Sequence, residues 1–206
     1  MKHNLLFLTV LFCIVFSTAY SQTITSDIDP EKKYYVGSSL WVAYGLFLDP
    51  SPEFYQLNAG YRIDEKNTVS VEAITWKYLN PLGIPYGPDY ETVETRYPGA
   101  VQGIGAGLSY QRFLWKGLYG QVHSVAFRQN YLNDRDKKIQ SGFQLFNTFR
   151  VGYHLEFFNH RLFIEPSIAA TWFPIQTNFP ESFQIEEDRW NKFFFGEPGL
   201  HFGINF

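Results

Sequence analysis

Nine ionisable residues stand at alternate positions of otherwise apolar segments of this chain, and both charge signs are present. They are Arg62, Asp64, Glu72, Arg150, His154, Glu156, Glu165, Glu197 and His201. Held away from bulk water, they are expected to pair, with Arg62 and Arg150 bridging the glutamates. A cluster of His and Glu also suits metal binding or a proton relay. We favour a satisfied structural network, which Arg128 joins if the alternation reverses near Ser124.

A second candidate chemistry is nucleophilic, because His123 directly precedes Ser124. A histidine activates a serine hydroxyl only when the two side chains share a proton. Adjacent residues of a strand point to opposite faces, so this pair needs a β-bulge. Alternation does break here, since Gln121 and His123 fit one parity and Arg128 fits the other. The glycines of 103–107, by contrast, precede no helix and fail as a phosphate-binding loop.

An acidic segment near the C-terminus is a third candidate. Four carboxylates stand beside three aromatic residues there: Glu181, Glu186, Glu187 and Asp188, with Phe179, Phe183 and Trp190. Carboxylates are ligands for Ca²⁺ or Mg²⁺, which would bridge them to anionic lipid headgroups. The spacing does not match the twelve-residue calcium loop. We therefore favour a solvated acidic loop.

Composition excludes several classes of protein. The chain has 206 residues, of which 19% are aromatic and 18% charged, and its formal net charge is −3. Such a chain is too apolar to stay disordered, and no run of about 20 apolar residues follows the N-terminus to form a membrane-spanning helix. The acidic balance and the lack of a basic run argue against nucleic acid as a partner.

Residues 1–21 have the pattern of a cleaved secretory signal peptide. Lys2 and His3 precede an apolar run from Leu5 to Phe16, and small residues lead to a cleavage site after Ser21. The only cysteine of the chain lies in that run, so the exported product has no disulfide framework. We expect 22–33 to be a short N-terminal segment and 34–206 to be the folded domain.

The elements that must position the charged residues are strands, because hydrophobicity alternates with period two throughout. Eight strands are predicted, with no helix between them: 34–47, 55–64, 68–79, 100–114, 118–131, 142–158, 161–174 and 191–206. Short turns alternate with long connectors, and the connector 80–99 is rich in proline and tyrosine. This is the pattern of an all-β, eight-stranded antiparallel up-and-down transmembrane β-barrel.

The two faces of the strands indicate what each one meets. One face is rich in glycine, as at Gly103 and Gly199, which suits a narrow interior that also holds Trp41, Phe146 and Phe195. The other face is apolar on every strand, which only lipid tolerates over so large an area. A soluble β-sandwich would show more charge on its polar face.

The chain resembles the small eight-stranded outer-membrane proteins of Gram-negative bacteria, the OmpA-, OmpX- and OmpW-like group. The resemblance rests on the strand and loop pattern of 34–206 and on the ending Leu200, Phe202, Ile204 and Phe206. In that group such an ending is the signal for the barrel assembly machinery. The resemblance implies the cell outer membrane, periplasmic termini, long loops outside, and lipids and lipopolysaccharide as neighbours.

The function that this resemblance implies is non-enzymatic, without a cofactor or metal: a barrel with a packed polar lumen whose outer loops contact the surroundings or an outer-membrane partner protein. One alternative is a narrow OmpW-like channel for small or apolar molecules. A second is a lipid A-modifying enzyme of the deacylase type, which the order of His123 and Ser124 matches poorly.

Overall fold

The computed structural model describes residues 31–40, 53–80 and 96–206. The predicted signal peptide, residues 22–30, Trp41 and the centre of the proline-rich connector lie outside these described residues. Within the described part of the chain, no helix has the length and apolarity that crossing a membrane requires.

The described chain is all-β and antiparallel, as predicted. Its nine strands and one helix are β1 (Tyr34–Ser39), β2 (Glu53–Arg62), β3 (Asn67–Tyr78), β4 (Gly99–Trp115), β5 (Leu118–Asn133), β6 (Lys138–Tyr153), β7 (Leu155–Phe157), β8 (Leu162–Thr177), α1 (Glu181–Glu187) and β9 (Phe193–Asn205). Strands adjacent in the ring pair antiparallel, and β1 also pairs with β9 from Tyr35↔Asn205 to Ser39↔His201. Because β6 also pairs with β8, the described strands close into a ring.

The predicted strand 142–158 is interrupted at His154, and β6 and β7 on either side both pair with β8. The register is the same before and after the break, so Tyr153 lies opposite Pro166. Proline has no backbone N–H, and the ladder loses a hydrogen bond at this point. The backbone N–H of His154 instead donates to the carbonyl of Gly117 at 2.8 Å.

Burial alternates along the strands and separates an outer from an inner face. Leu108 is 68% exposed on the outer face of β4 and Leu57 is 58% exposed on that of β2. Polar residues such as Gln129 and Thr148 are buried inside the ring. Burial thus runs opposite to a water-soluble fold, with apolar residues outside and many polar residues inside.

The inner glycines make room for large side chains on neighbouring strands. A Cβ added at Gly60 would overlap the ring of Tyr35, one at Gly203 would overlap the ring of Phe163, and one at Gly199 would overlap the guanidinium of Arg150. The expectation that the interior needs their small size is therefore correct.

A bulge in β9 changes which phenylalanine faces inward. The register with β8 shifts between Ala169 and Ala170, and Gly196 has a φ of +99°, a conformation that favours glycine. As a result Phe195 is 71% exposed on the outer face, and Phe194 packs inward against Phe173. The sequence prediction that placed Phe195 inside is wrong.

The helix α1 was not predicted. It contributes fully buried Phe183 to a cluster with Tyr97, Val101 and Tyr131, which we name the loop-end core. This cluster lies at the end of the ring where the long connectors emerge, and the short turns lie at the opposite end. Seven residues are too few to display helical periodicity in a sequence, although Phe183 and Glu187 do share the buried face at spacing i, i+4.

Candidate functional site in the ring interior

Five buried polar side chains meet inside the ring at its short-turn end, and we name them the basal cluster: Arg62, His154, Glu156, Glu165 and Asn205. Arg62 donates from Nη2 to Oε1 of Glu156 at 2.7 Å. The imidazole of His154 bridges the two carboxylates, with Nδ1 2.7 Å from Glu165 and Nε2 2.9 Å from Glu156. The predicted pairing of Arg62 with a glutamate is therefore present.

The carboxylate of Glu156 is fully buried and hydrogen-bonded at both oxygens. Oε1 accepts hydrogen bonds from Arg62 and from Nδ2 of Asn205 at 2.9 Å, and lies beside His154. Oε2 lies 2.6 Å from Nδ1 of His160, in the turn after β7. A buried carboxylate is tolerated only when its charge is offset and its lone pairs are used. Both conditions hold, which favours a structural role for this cluster.

The imidazole of His154 is held in place by aromatic rings. It stacks on Phe163 with centroids 5.1 Å apart and meets Phe113 edge-on at 5.4 Å. Its position follows from the interruption between β6 and β7, where its backbone is bonded to the β4–β5 turn. These contacts fix the ring between the two carboxylates.

A second pairing lies higher in the interior, around Arg150. Its guanidinium donates to Oγ of Ser167 at 2.9 Å and lies 3.5 Å from Oε1 of Glu197. The hydroxyl of Thr171 donates to the other oxygen of Glu197. Arg150 occupies the space left by Gly199 on the neighbouring strand. The predicted bridging of a glutamate by Arg150 is thus also present.

Glu72, His123 and His201 lie on the inner face of the ring, between the basal cluster and the pair of Arg150 with Glu197. Oε2 of Glu72 accepts a hydrogen bond from Nε2 of Gln56 at 2.6 Å and lies 3.3 Å from Nε2 of His123. Half-buried His201 pairs in register with Glu165. Gln111 donates to Glu165 at 2.9 Å and ties this part of the inner face to the basal cluster.

Eight of the nine predicted interior residues therefore lie inside the ring, and Asp64 does not. Asp64 is exposed in the turn between β2 and β3, where its carboxylate accepts hydrogen bonds from the backbone N–H groups of Lys66 and Asn67, both at 2.8 Å. The side-chain hydrogen bond from Asn67 is the main cause that lowers the pKa of Asp64. The alternation that predicted an inward position ends with β2 at Arg62.

The conditional predictions for β5 fail for one reason. The register with β4 runs without a shift from Gly99↔Asn133 to Phe113↔Tyr119, so no bulge reverses the parity. Arg128 is consequently exposed on the outer face. His123 faces the interior, and Ser124 hydrogen-bonds to Asn147 on the opposite face. The two side chains do not share a proton in this arrangement.

Sequence reasoning missed several members of these networks. Asn205 and Gln111 have the inward parity but are not ionisable, so a search for charge passed over them. His160 belongs to a turn, where alternation carries no signal. His123 was considered only as a partner of Ser124.

The interior is not packed throughout. A cavity of about 330 Å³ extends above the basal cluster, lined by charged side chains and by aromatic ones. Period-two patterning shows which residues face inward but not how completely they fill the space. Phe146 does line this cavity, as its predicted inward position requires.

The acidic segment around α1 is not a wholly solvated loop. Glu187 is buried, and the hydroxyl of Tyr97 donates a hydrogen bond to its carboxylate. Burial raises the pKa of Glu187, and burial together with the nearby Glu187 raises the pKa of Tyr97. Glu186 pairs instead with Arg189 at 2.9 Å. The carboxylate of Glu187 is therefore engaged inside the protein and is not solvated.

The raised pKa of Glu187 predicts a pH-dependent loop-end core. A carboxyl whose folded pKa lies above its unfolded value stabilises the fold at low pH and loses that contribution as pH rises through the folded pKa. We expect hydrogen exchange in α1, corrected for intrinsic rates, to be slower at acidic than at neutral pH. Glu187→Gln should abolish this difference, and exposed Glu181→Gln should leave it intact. An equal pH response in both variants would contradict the assignment.

No group of three or more His, Cys, Asp or Glu residues suited to a metal ion occurs in 31–40, 53–80 or 96–206. Comparison with known proteins gives no relative: no family model matches the chain, and neither a curated protein nor a solved structure matches it.

Proposed function

We propose that the protein is an eight-stranded transmembrane β-barrel of a bacterial outer membrane, exported by the signal peptide over 1–21. The count of eight follows if β6 and β7 are one interrupted strand, since they share a register with β8 and are separated by His154 alone. An even number of antiparallel strands in a closed ring is the form in which bacterial β-barrels cross a membrane.

The observation that carries this proposal is the apolar outer face. Large apolar side chains are exposed on strands all around the ring, among them Leu57, Val71, Leu108, Val151 and Ile168. A soluble protein rarely exposes a contiguous apolar patch beyond a few hundred Å². Hydrocarbon is the solvent in which such a face is stable while polar residues fill the interior.

The orientation that we propose has the short turns and both termini in the periplasm and the long connectors outside. The ending expected to serve the barrel assembly machinery lies on the outer face of the ring, where Leu200, Phe202, Ile204 and Phe206 are exposed. These residues belong to β9 or directly follow it, and β9 is paired with β8 on one side and with β1 on the other. Outer-membrane lipid and lipopolysaccharide would cover the outer face.

In this proposal the barrel is non-enzymatic, uses no cofactor, and contacts its surroundings or a partner protein through its outer loops. The buried and mutually bonded basal cluster supports a structural interior. The opposite facing of His123 and Ser124 offers no support for a lipid A-modifying enzyme. The cavity favours one alternative, a narrow OmpW-like channel, which steady conductance in planar lipid bilayers would support.

Fractionation of a Gram-negative host that expresses the full chain tests the proposal. We expect the protein in the outer-membrane fraction, released only by detergent, with residues 1–21 removed. Mild-detergent purification would then identify any copurifying outer-membrane protein. Recovery in the periplasmic fraction without detergent would overturn the proposal.

A further inference from the structure

The cavity inside the ring has two chemically different parts. Along β3 the inward residues pass from Glu72 to Ile74 and then Trp76, a spacing of about 7 Å for each step of two residues. Charged and polar side chains thus line one part, and apolar side chains line the other. A ligand that fits both parts is amphipathic.

Glu72 has an oxygen to which no residue in the described part of the chain donates a hydrogen bond. The residue is 7% exposed and lines the cavity, and its Oε2 is hydrogen-bonded to Gln56. Its Oε1 is buried and has no hydrogen-bond partner within 31–40, 53–80 or 96–206. A buried acceptor without a donor is unfavourable, and more so if it is charged, so a donor bound there would be stabilised.

The charges lining the cavity favour a cationic donor. Among the described residues that line it, three carboxylates, those of Glu72, Glu165 and Glu197, face one guanidinium, that of Arg150. Arg150 is engaged with Glu197, and Glu165 is engaged with His154 and Gln111. The imidazoles of His123 and His201 and the phenol of Tyr35 are the other ionisable groups among the described residues that line the cavity. Gln56 and His123 both lie at Oε2 of Glu72, 2.6 Å and 3.3 Å away, so its buried Oε1 is the carboxylate oxygen left to accept from a ligand.

The apolar part of the cavity is aromatic. Phe54 and Trp76 meet edge to face with centroids 5.8 Å apart, and Phe127 and Phe146 do so at 6.1 Å. All four line the cavity. Aromatic rings attract both apolar groups and cations, so this wall suits the body of an organic amine.

We propose that the interior cavity binds a small amphipathic amine, whose ammonium group donates to Oε1 of Glu72 and whose apolar body lies against the aromatic wall. The proposal concerns the interior alone and does not depend on what surrounds the outer face. It adds a ligand class to the proposed barrel, whose function as stated above requires no small molecule.

Isothermal titration calorimetry on the detergent-solubilised full chain tests the proposal with three probes of matched shape: 2-phenylethylamine, 2-phenylethanol and 3-phenylpropanoate. We expect saturable binding of the amine at near-neutral pH. The neutral alcohol should bind at least about tenfold more weakly, which is the size expected for a charge-assisted hydrogen bond. The anionic probe should bind more weakly still.

Two variants assign the contacts. Glu72→Gln should weaken the amine by at least about tenfold and leave the affinity for the alcohol unchanged. Trp76→Ala should weaken the amine and the alcohol by similar factors, because it removes a contact with the shared body. Equal binding of the amine and the alcohol, an unchanged amine affinity in Glu72→Gln, or no saturable binding of the amine would overturn the proposal. If Glu72→Gln does not fold, the ranking of the three probes on the unmodified chain decides.

Discussion

Replacing Glu156 by Gln is expected to lower the free energy of unfolding by about 3–5 kcal/mol, because it removes the buried carboxylate that lies 2.7 Å from the buried guanidinium of Arg62. Glutamine also offers one acceptor oxygen in place of two that now contact Arg62, His154, Asn205 and His160. Urea titrations of the protein folded into phospholipid vesicles measure the loss.

The control for this prediction is exposed Glu65→Gln, in the turn after β2, which should change the free energy of unfolding by no more than about 0.5 kcal/mol. The double variant Arg62→Met with Glu156→Gln should be more stable than Glu156→Gln alone, since it also removes the buried guanidinium that faced the lost carboxylate. A single variant as stable as the unmodified protein would mean that the basal cluster contributes nothing to the fold.

Leu108→Arg is expected to cost about 2–4 kcal/mol when the protein is folded in vesicles, the penalty for a cation near the bilayer midplane of a β-barrel. Leu108 lies near the centre of β4 and is 68% exposed on the outer face. In water the same substitution would put a charge where solvent could hydrate it. The size of the cost therefore reports on the medium that the outer face meets.

Ile185→Arg is the matched substitution for Leu108→Arg. Ile185 is 62% exposed in α1, beyond the strands, and should tolerate arginine within about 0.5 kcal/mol. Similar small costs at both positions would argue that Leu108 faces water.

The sequence predicted the strands and their facing well because alternation is a local property. A face that meets one medium along ten or more residues leaves a clear period-two record, as in β2 and β4. The inward placement of Arg62, Glu72, Arg150 and Glu165 followed from that parity alone.

The failures occur where alternation is locally broken. Gly196 is an extra residue in β9, so Phe194 faces inward and Phe195 outward. This strand contains several glycines, so one of them does not identify the position of a bulge. Asp64 lies just beyond the end of β2, where parity no longer applies. The interruption at His154 depends on Pro166 of another strand, so it requires knowledge of the register.

The packing of the interior was beyond sequence reasoning for a different reason. The buried contacts of Glu187 and the cavity beside Glu72 depend on how side chains from several strands fill a shared volume. A list of inward residues shows which chemical groups line that volume but not how completely their side chains fill it. The charged residues of the basal cluster were predictable from the sequence. Its uncharged member Asn205 and the neighbouring His160 were not.

The orientation of Leu108 toward lipid is the central claim, and a spin label at that position tests it most directly. The chain has one cysteine, Cys13, so Leu108→Cys in a Cys13→Ser background carries a single nitroxide. In vesicles we predict that the label collides more readily with dissolved oxygen than with a water-soluble nickel complex, and that a label at Ile185→Cys shows the reverse. A label at Leu108 that meets the nickel complex as readily as the label at Ile185 would contradict the account.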